Sequence, residues 1–337
     1  MTEFVRRIAL GAAVTALFST AALAAGITYE GGEGPGKGKH IVFVTGDEEY
    51  RSEEGMPQLA KILAVRHGFK CTVLFSINKE TGEIDPGTLD NIPGLEALRD
   101  ADLMVLFTRF RELPDADMKH IVDYTNSGRP IIALRTATHP FFYRENPDSP
   151  YAKWTWNNPD PDFQGGYGRQ VLGETWVSHY GKHGTESTRG EIVPEMKDHP
   201  IVQGCEDIWG DTDVYGINSL TGDSQPLVNG IVLTGMNPDD PPGTEKTEKQ
   251  PIAWIKTWTG ESGTPARVFT TTMGASRDLL SEGLRRLLVN AAYWCTGLEE
   301  QIPPRANVDI VGEYNPTPFG FNEHQKGLKP EDHALAE

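Results

Sequence analysis

The feature that most constrains the fold is a regular alternation of apolar runs and helical patterns between residues 40 and 134. Four apolar runs of strand length are separated by segments with apolar residues at helical spacing, most clearly at 53–67 and 114–126. Apolar strands that alternate with helices are typical of a parallel sheet covered on both faces. The sequence therefore predicts an α/β fold, a three-layer sandwich around a mostly parallel central sheet. The four runs are 40–45, 70–75, 103–107 and 130–134.

The rest of the chain divides by its pattern and composition. Three further strand-like runs and a closing amphipathic helix at 283–294 complete a single predicted domain. Between the two regular halves, the segment 139–190 is rich in Pro, Gly, Asn and aromatic residues and is predicted to be an insert with little regular structure. The predicted boundaries are a Gly-rich flexible leader at 25–38, a domain at 39–300 that contains the insert, and an extended C-terminal tail at 301–337.

The first 24 residues have the pattern of a secretory signal peptide. Arg6 and Arg7 precede an apolar run that ends in the small-residue pattern of Ala22, Leu23 and Ala24. An uncleaved anchor is the alternative, although the run is slightly short for a spanning helix of about 20 residues. We expect a secreted or periplasmic protein with no membrane insertion after cleavage.

The overall charge narrows the class of partner. The chain has 31 Lys and Arg against 48 Asp and Glu, a formal net charge of −17. This balance argues against a protein that binds nucleic acid by neutralising phosphates, or anionic lipid through a basic patch. We expect a small-molecule partner and no nucleic acid.

Charged residues follow three of the predicted strands, at the ends where open α/β sheets bind ligands. We expect these loops to meet at one rim of the sheet. Glu48, Glu49 and His139 are candidates for proton transfer, which needs a carboxylate or imidazole tuned by its neighbours. The candidates for substrate binding at this rim are Asp47, Arg51, Arg109 and Arg135.

The insert contributes a second group of candidates. Trp154, Trp156 and Trp176 offer flat apolar rings that suit the CH faces of sugars, although such a cluster can also be a small core beneath a long loop. His179 is a further candidate for proton transfer. His179 and His183 are four residues apart, a spacing that would allow a divalent metal to bind if the segment were helical. Gly181 disfavours a helix there, so no cofactor is expected and these two histidines are the only metal candidates.

Several segments form further motifs, namely 44–47, 199–204 (His-Pro-Ile-Val-Gln-Gly), 211–215, 251–254 (Pro-Ile-Ala-Trp), 266–274 and 284–294. Together they resemble the motifs of the ThuA-like (trehalose-utilisation) family, whose fold is that of class I glutamine amidotransferase domains and is flavodoxin-like. Amidotransferases have a catalytic Cys at the turn after the fourth strand, where ThuA-like proteins usually have a His. Here the residue is Arg135, with His139 four positions later, so glutaminase activity is not expected.

The resemblance implies a role in carbohydrate catabolism without defining a reaction. We expect an exported ThuA-like protein that handles a sugar or sugar derivative as an enzyme. The alternative is a non-catalytic carbohydrate-binding module that uses the same pocket. A third hypothesis makes the tail and the insert an oligomer interface.

Overall fold

The computed structural model describes residues 26–335. The predicted signal peptide at 1–24 lies outside these residues. Within the described part, no helix has the length and apolar character needed to cross a membrane.

The described residues form twelve strands and three α-helices, and the order along the chain follows the predicted alternation. The helices are α1 (Ser52–His67), α2 (Asp115–Asn126) and α3 (Glu282–Cys295). The strands are β1 (Gly26–Tyr29), β2 (His40–Gly46), β3 (Lys70–Leu74), β4 (Leu103–Thr108), β5 (Ile131–Leu134), β6 (Ser178–His179), β7 (Thr188–Ile192), β8 (Trp209–Gly210), β9 (Tyr215–Gly216), β10 (Gln225–Val232), β11 (Gln250–Thr259) and β12 (Pro265–Thr271).

Ten of these strands make one sheet in the order β1-β3-β2-β4-β5-β12-β11-β10-β7-β8. The strands from β3 to β12 in this order pair in parallel, whereas the strands beyond them on both sides pair antiparallel. The predicted α/β class with a large sheet is therefore confirmed. The description "mostly parallel" applies only to the five central strands, because β10, β11 and β12 follow one another through loops without the helical crossover that parallel pairing requires.

Both faces of the sheet are buried along the central strands, which are predominantly apolar. Ile41 and Phe43 of β2 point into a core shared with α1 and α3. Val42 and Val44 point into a second core, which includes Met118 and other residues of α2. Alternate side chains of one strand thus serve two cores, and the carboxyl ends of the parallel strands remain open to the loops that follow them.

The predicted flexible leader is wrong at its beginning. Residues 26–29 form β1, which pairs antiparallel with β3 and places Ile27 opposite Val73. Tyr29 is buried, and its hydroxyl donates to the carbonyl of His333 at 2.8 Å. Ile27 and Tyr29 form the alternating apolar pattern of a strand. The prediction missed this pattern because it relied on the high glycine content of the segment.

The tail after residue 300 packs along the domain. Arg285 Nε donates to the carbonyl of Val308 at 2.8 Å, and Arg286 Nε donates to that of Ala306 at 3.1 Å. Both arginines belong to α3. The closing helix therefore fixes the first part of the tail through backbone acceptors.

Candidate active site

The loops after β2 and β4 meet at the rim of the sheet through an ion-pair network. Glu48 accepts a hydrogen bond from Arg109 Nη1 and a second one, at 2.7 Å, from Arg111 Nη2. Arg109 Nε also lies 3.8 Å from a carboxylate oxygen of Glu49. The predicted juxtaposition of these acids and arginines is present, but Glu48 and Arg109 are bound to each other, which occupies the groups that were candidates for proton transfer and for substrate binding.

Arg135 follows β5 directly and is fully buried. Its backbone has a positive φ of 43°, a left-handed conformation that begins the 3-10 turn Arg135–Thr138. The guanidinium donates to the carboxylate of Asp213 at 2.8 Å, to the carbonyls of Asp213 and Thr272, and to Tyr50 Oη at 3.1 Å. Arg135 was a candidate for substrate binding; instead, protein acceptors use its donors.

Asp213 is the centre of the site, and sequence reasoning missed it. Its Oδ1 accepts from Arg135 and from His183 Nδ1 at 3.1 Å, and its Oδ2 accepts from His179 Nδ1 at 2.6 Å. Burial alone would raise the pKa of Asp213, but Arg135 and the two imidazoles together hold it well below its ordinary value. Asp213 is therefore a buried carboxylate that orients two histidines. The one signal for it was the segment 211–215, which the family resemblance had singled out.

The two histidines do not lie on a helix, in agreement with the expectation from Gly181. His179 is in β6 and pairs with Tyr215 of β9, and His183 lies in the turn that follows β6. Pairing of β6 with β9 brings both imidazoles to Asp213, which lies two residues before β9. Their ring centroids are 4.8 Å apart.

The two imidazoles differ in their remaining nitrogen. Because an ionised carboxylate only accepts hydrogen bonds, Nδ1 of each ring carries the proton directed at Asp213. Nε2 of His183 lies 3.1 Å from Glu49 Oε1. Hydrogen bonds to Asp213 and then to Glu49 raise the pKa of His183 to about 9. Nε2 of His179 has no hydrogen-bond partner among the described residues, and one third of this side chain is exposed.

An aromatic wall borders the imidazoles on the side of the insert. Trp176 lies 5.7 Å from His179 and 5.9 Å from Trp156, measured between ring centroids. Phe110 extends the wall at 5.7 Å from Trp156. Two of the three predicted tryptophans thus stand beside the candidate acid–base residues.

His139 belongs to the same wall but is nearly enclosed. Its ring lies 4.9 Å from Phe110 and 5.5 Å from Trp176, and only 3% of the residue is exposed. Burial, reinforced by the positive charges of Arg109 and Arg135, holds the pKa of His139 well below its ordinary value. His139 is therefore a neutral wall residue rather than an exposed proton donor.

Asp47 and Arg51, both predicted to bind substrate, are buried structural residues. Asp47 accepts from the backbone N–H groups of Glu49 and Tyr50 and from Thr136 Oγ1, so it shapes the loop. Arg51 Nε donates to Thr317 Oγ1 of the tail at 3.2 Å. Their polar atoms turn towards the protein because the loop after β2 closes on itself before α1 begins.

Trp154 is also a structural residue, and its predicted role in substrate binding is corrected by its burial. Only 1% of it is exposed, and its ring packs on Phe163 at 4.8 Å and on Tyr167 at 5.6 Å. Within this short stretch of the insert, Trp154 faces the core and Trp156 faces the wall. The hypothesis of a small core beneath the insert therefore describes Trp154.

His179, His183 and Asp213 are the described residues that could hold a metal ion, since one donor atom from each lies within 4.8 Å of the others. In the observed arrangement, however, both Nδ1 atoms are directed at Asp213, whose carboxylate also binds Arg135. A cation at Asp213 would have to compete with the guanidinium. The arrangement is better suited to orienting imidazoles than to binding an ion.

A cavity of about 550 Å³ adjoins the aromatic wall. Trp156 forms part of its lining, together with side-chain amides of the insert and of a neighbouring loop. Amides can donate to and accept from neutral hydroxyl groups. The amide residues are Asn157, Asn158, Gln164 and Asn218.

Comparisons with known proteins give no match to a family model and none to a curated protein. Among solved structures, the chain is similar to a protein from Parabacteroides merdae described as ThuA-like, with a TM-score of 0.49 and 14% identity over 84% of this chain and 97% of that one. A second ThuA-like structure, from Bacteroides uniformis, gives a TM-score of 0.45 and 13% identity over 82% of this chain and 98% of that one. At such identities the likeness concerns the fold alone.

Proposed function

We propose that the protein is an exported, ThuA-like enzyme that catalyses proton transfer on a neutral sugar or sugar derivative. The observation that carries this proposal is the buried carboxylate of Asp213, which accepts from Nδ1 of both His179 and His183. A carboxylate in this position fixes the tautomer and the orientation of an imidazole, the arrangement that general acid–base catalysis uses.

The two histidines have different roles in this proposal. With its Nδ1 proton directed at Asp213, the neutral form of His179 has a lone pair on Nε2, which takes a proton from the carbon next to a carbonyl group of the bound sugar. Breaking this C–H bond leaves the negative charge on the carbonyl oxygen as an enolate. The positive charge of His183, whose ring centroid lies 4.8 Å from that of His179, stabilises it. Return of the proton from His179 to the former carbonyl carbon, with the hydroxyl proton of the neighbouring carbon moving to the enolate oxygen, gives the isomeric sugar as product. A positioned base of this kind contributes roughly 10²–10⁴-fold to a rate.

The charges around the site favour a neutral substrate. Arg109 and Arg111 are paired with Glu48, and Arg135 is paired with Asp213. Each of these three guanidinium groups already faces a carboxylate, which offsets its attraction for an anionic ligand. Arg109 and Arg135, both candidates for substrate binding, are therefore assigned no contact with an anionic group.

The aromatic wall supports a sugar as the neutral substrate. Trp176 stands next to His179, and Trp156 packs beside Trp176 and extends the aromatic surface away from the histidines. Aromatic rings pack on the CH faces of sugars, and the amide-lined cavity next to Trp156 offers partners for their hydroxyl groups. The same two features support the second candidate, a carbohydrate-binding module without catalysis.

The test is turnover of a panel of neutral mono- and disaccharides and their keto derivatives, followed by chromatography. We expect at least one product with the wild-type protein and a 10²–10⁴-fold lower kcat in His179→Gln. His120→Gln is the matched control, since His120 lies in the middle of α2, and it should leave turnover unchanged. Saturable binding with no product after long incubation would favour the binding module. Equal turnover in wild type and His179→Gln would refute the assigned base.

A further inference from the structure

The C-terminal tail crosses the rim of the sheet beside the histidines. The backbone N–H and the hydroxyl of Thr317 donate to the carboxylate of Glu54 at 2.7 and 2.6 Å. Its carbonyl accepts from Ser276 Oγ at 3.0 Å. Three residues later, the N–H of Gly320 donates to the carbonyl of Glu49 at 2.8 Å. These hydrogen bonds hold this stretch of the tail against α1, Ser276 and the loop that carries Glu49.

These anchors position two aromatic rings of the tail. Phe319 lies 5.0 Å from the ring of His183 and 5.5 Å from that of Tyr50. The ring of Phe321 lies 5.0 Å from the guanidinium carbon of Arg109, whose other neighbour is Phe110 at 4.4 Å. Arg109 therefore links the aromatic wall of the insert to the tail through two cation–π contacts.

The rings form a continuous row in which the histidines are central. Trp176 lies 5.7 Å from His179, His179 lies 4.8 Å from His183, and His183 lies 5.0 Å from Phe319. A ligand bound at the imidazoles would meet an indole on one side and a phenyl ring of the tail on the other.

We propose that Phe319 and Phe321 are specificity-determining residues of the site. Phe319 supplies the apolar surface on the His183 side and favours a pyranose whose CH groups face its ring, whereas Phe321 holds Arg109 in its pairing with Glu48. The identity of the ligand as a neutral sugar rests on the proposed function, whereas the position of the two rings is observed independently of it.

The experiment uses the full chain with ¹⁵N-labelled histidine and monitors the ring resonances of His183. The probes are D-glucose and maltose, which are neutral, and D-glucuronate, which is anionic. In the wild type we expect a neutral probe to shift the His183 resonances in a saturable manner and glucuronate to bind more weakly. Phe319→Ala should raise the dissociation constant of the neutral probe roughly fivefold or more, the effect of losing one aromatic packing surface. Phe321→Ala should reduce the preference for neutral over anionic probe, because it frees Arg109.

Phe163→Ala is the matched control, since Phe163 packs on Trp154 within the insert, and it should leave the dissociation constants unchanged. Circular dichroism and thermal melting establish that each variant is folded. Unchanged affinity in folded Phe319→Ala, or the absence of any probe-induced shift of His183 in the wild type, would overturn the inference. Weakened binding in Phe319→Ala without product formation by the wild type would uphold it and reject the enzymatic function instead.

Discussion

Nε2 of His183 lies 3.1 Å from Oε1 of Glu49, so one imidazole of the insert joins the loop after β2 to the centre of the site. Its other nitrogen contacts Asp213 at the same distance. An imidazole between two carboxylates is stabilised in its protonated form. His183 is therefore a fixed positive charge at neutral pH.

The first prediction concerns the titration of His183. Its pKa is raised from 6.5 to about 9, first by Asp213 and then by Glu49. We expect its ring resonances to titrate near pH 9 in an NMR experiment, and turnover to fall as the pH rises through that value and the positive charge is lost. Because the folded-state pKa is the higher one, the contribution of this group to stability is fully present below pH 6.5 and is lost as the pH rises through about 9.

Replacing Glu49 separates the two causes. Glu49→Gln should lower the pKa of His183 while leaving the hydrogen bond to Asp213 in place, so the midpoint should move towards 6.5 without reaching it. A wild-type midpoint near 6.5 would contradict the paired geometry.

The second prediction concerns two adjacent glutamates in the first turn of α1. Both carboxylate oxygens of Glu53 are buried without a hydrogen-bond partner among the described residues, and burial raises its pKa from 4.5 to about 8. This side chain is therefore neutral when folded and ionised when unfolded at pH 7. It destabilises the fold increasingly as the pH rises from 4.5 to 8. Glu53→Gln should raise the free energy of unfolding by about 3 kcal/mol at pH 7 and by little at pH 4.

Glu54→Gln is the natural comparison and should act in the opposite direction. Glu54 accepts two hydrogen bonds from Thr317, so its loss should lower the free energy of unfolding by about 1 kcal/mol and loosen the tail. Urea unfolding at the two pH values measures both variants. A stabilising effect of Glu53→Gln that is equal at pH 4 and pH 7 would contradict ionisation as its cause.

The third prediction concerns metal content. Arg135 donates to the carboxylate of Asp213 at 2.8 Å, and its positive charge opposes a cation at the same oxygens. We expect elemental analysis of protein purified without chelator to find less than a tenth of a divalent ion per chain, and EDTA to leave turnover unchanged. If a stoichiometric ion is found and is lost in His179→Gln, this histidine binds a metal rather than acting as an acid–base group.

The parts of the fold that the sequence predicted depend on local pattern. The runs that became β2 to β5 are apolar at nearly every position, and the helical spacing in α1, α2 and α3 is equally clear. Because parallel strands end at one rim, the meeting of Glu48 with Arg109 also followed from the pattern. These inferences need no knowledge of distant contacts.

The parts that could not be predicted depend on pairing between distant segments. Asp213 meets His179 only because two-residue strands, β6 and β9, pair across more than thirty residues, and strands this short have no period to detect. Trp154 and Trp156 have the same chemistry and differ only in the face of an irregular segment on which they lie. Phe319 lies in a tail that has no hydrophobic periodicity, so its position beside His183 is known only from the structure.

The two ends of the large sheet have a consequence for how the protein behaves at high concentration. One edge is β1, with four residues, and the other is β8, with two. An exposed edge recruits other chains in proportion to the length of unpaired backbone it offers, and natural proteins often blunt it with very short strands. A ten-stranded sheet would otherwise be an effective template for aggregation. Because its outer strands are so short, the sheet offers little unpaired backbone to which a strand of another chain could bind.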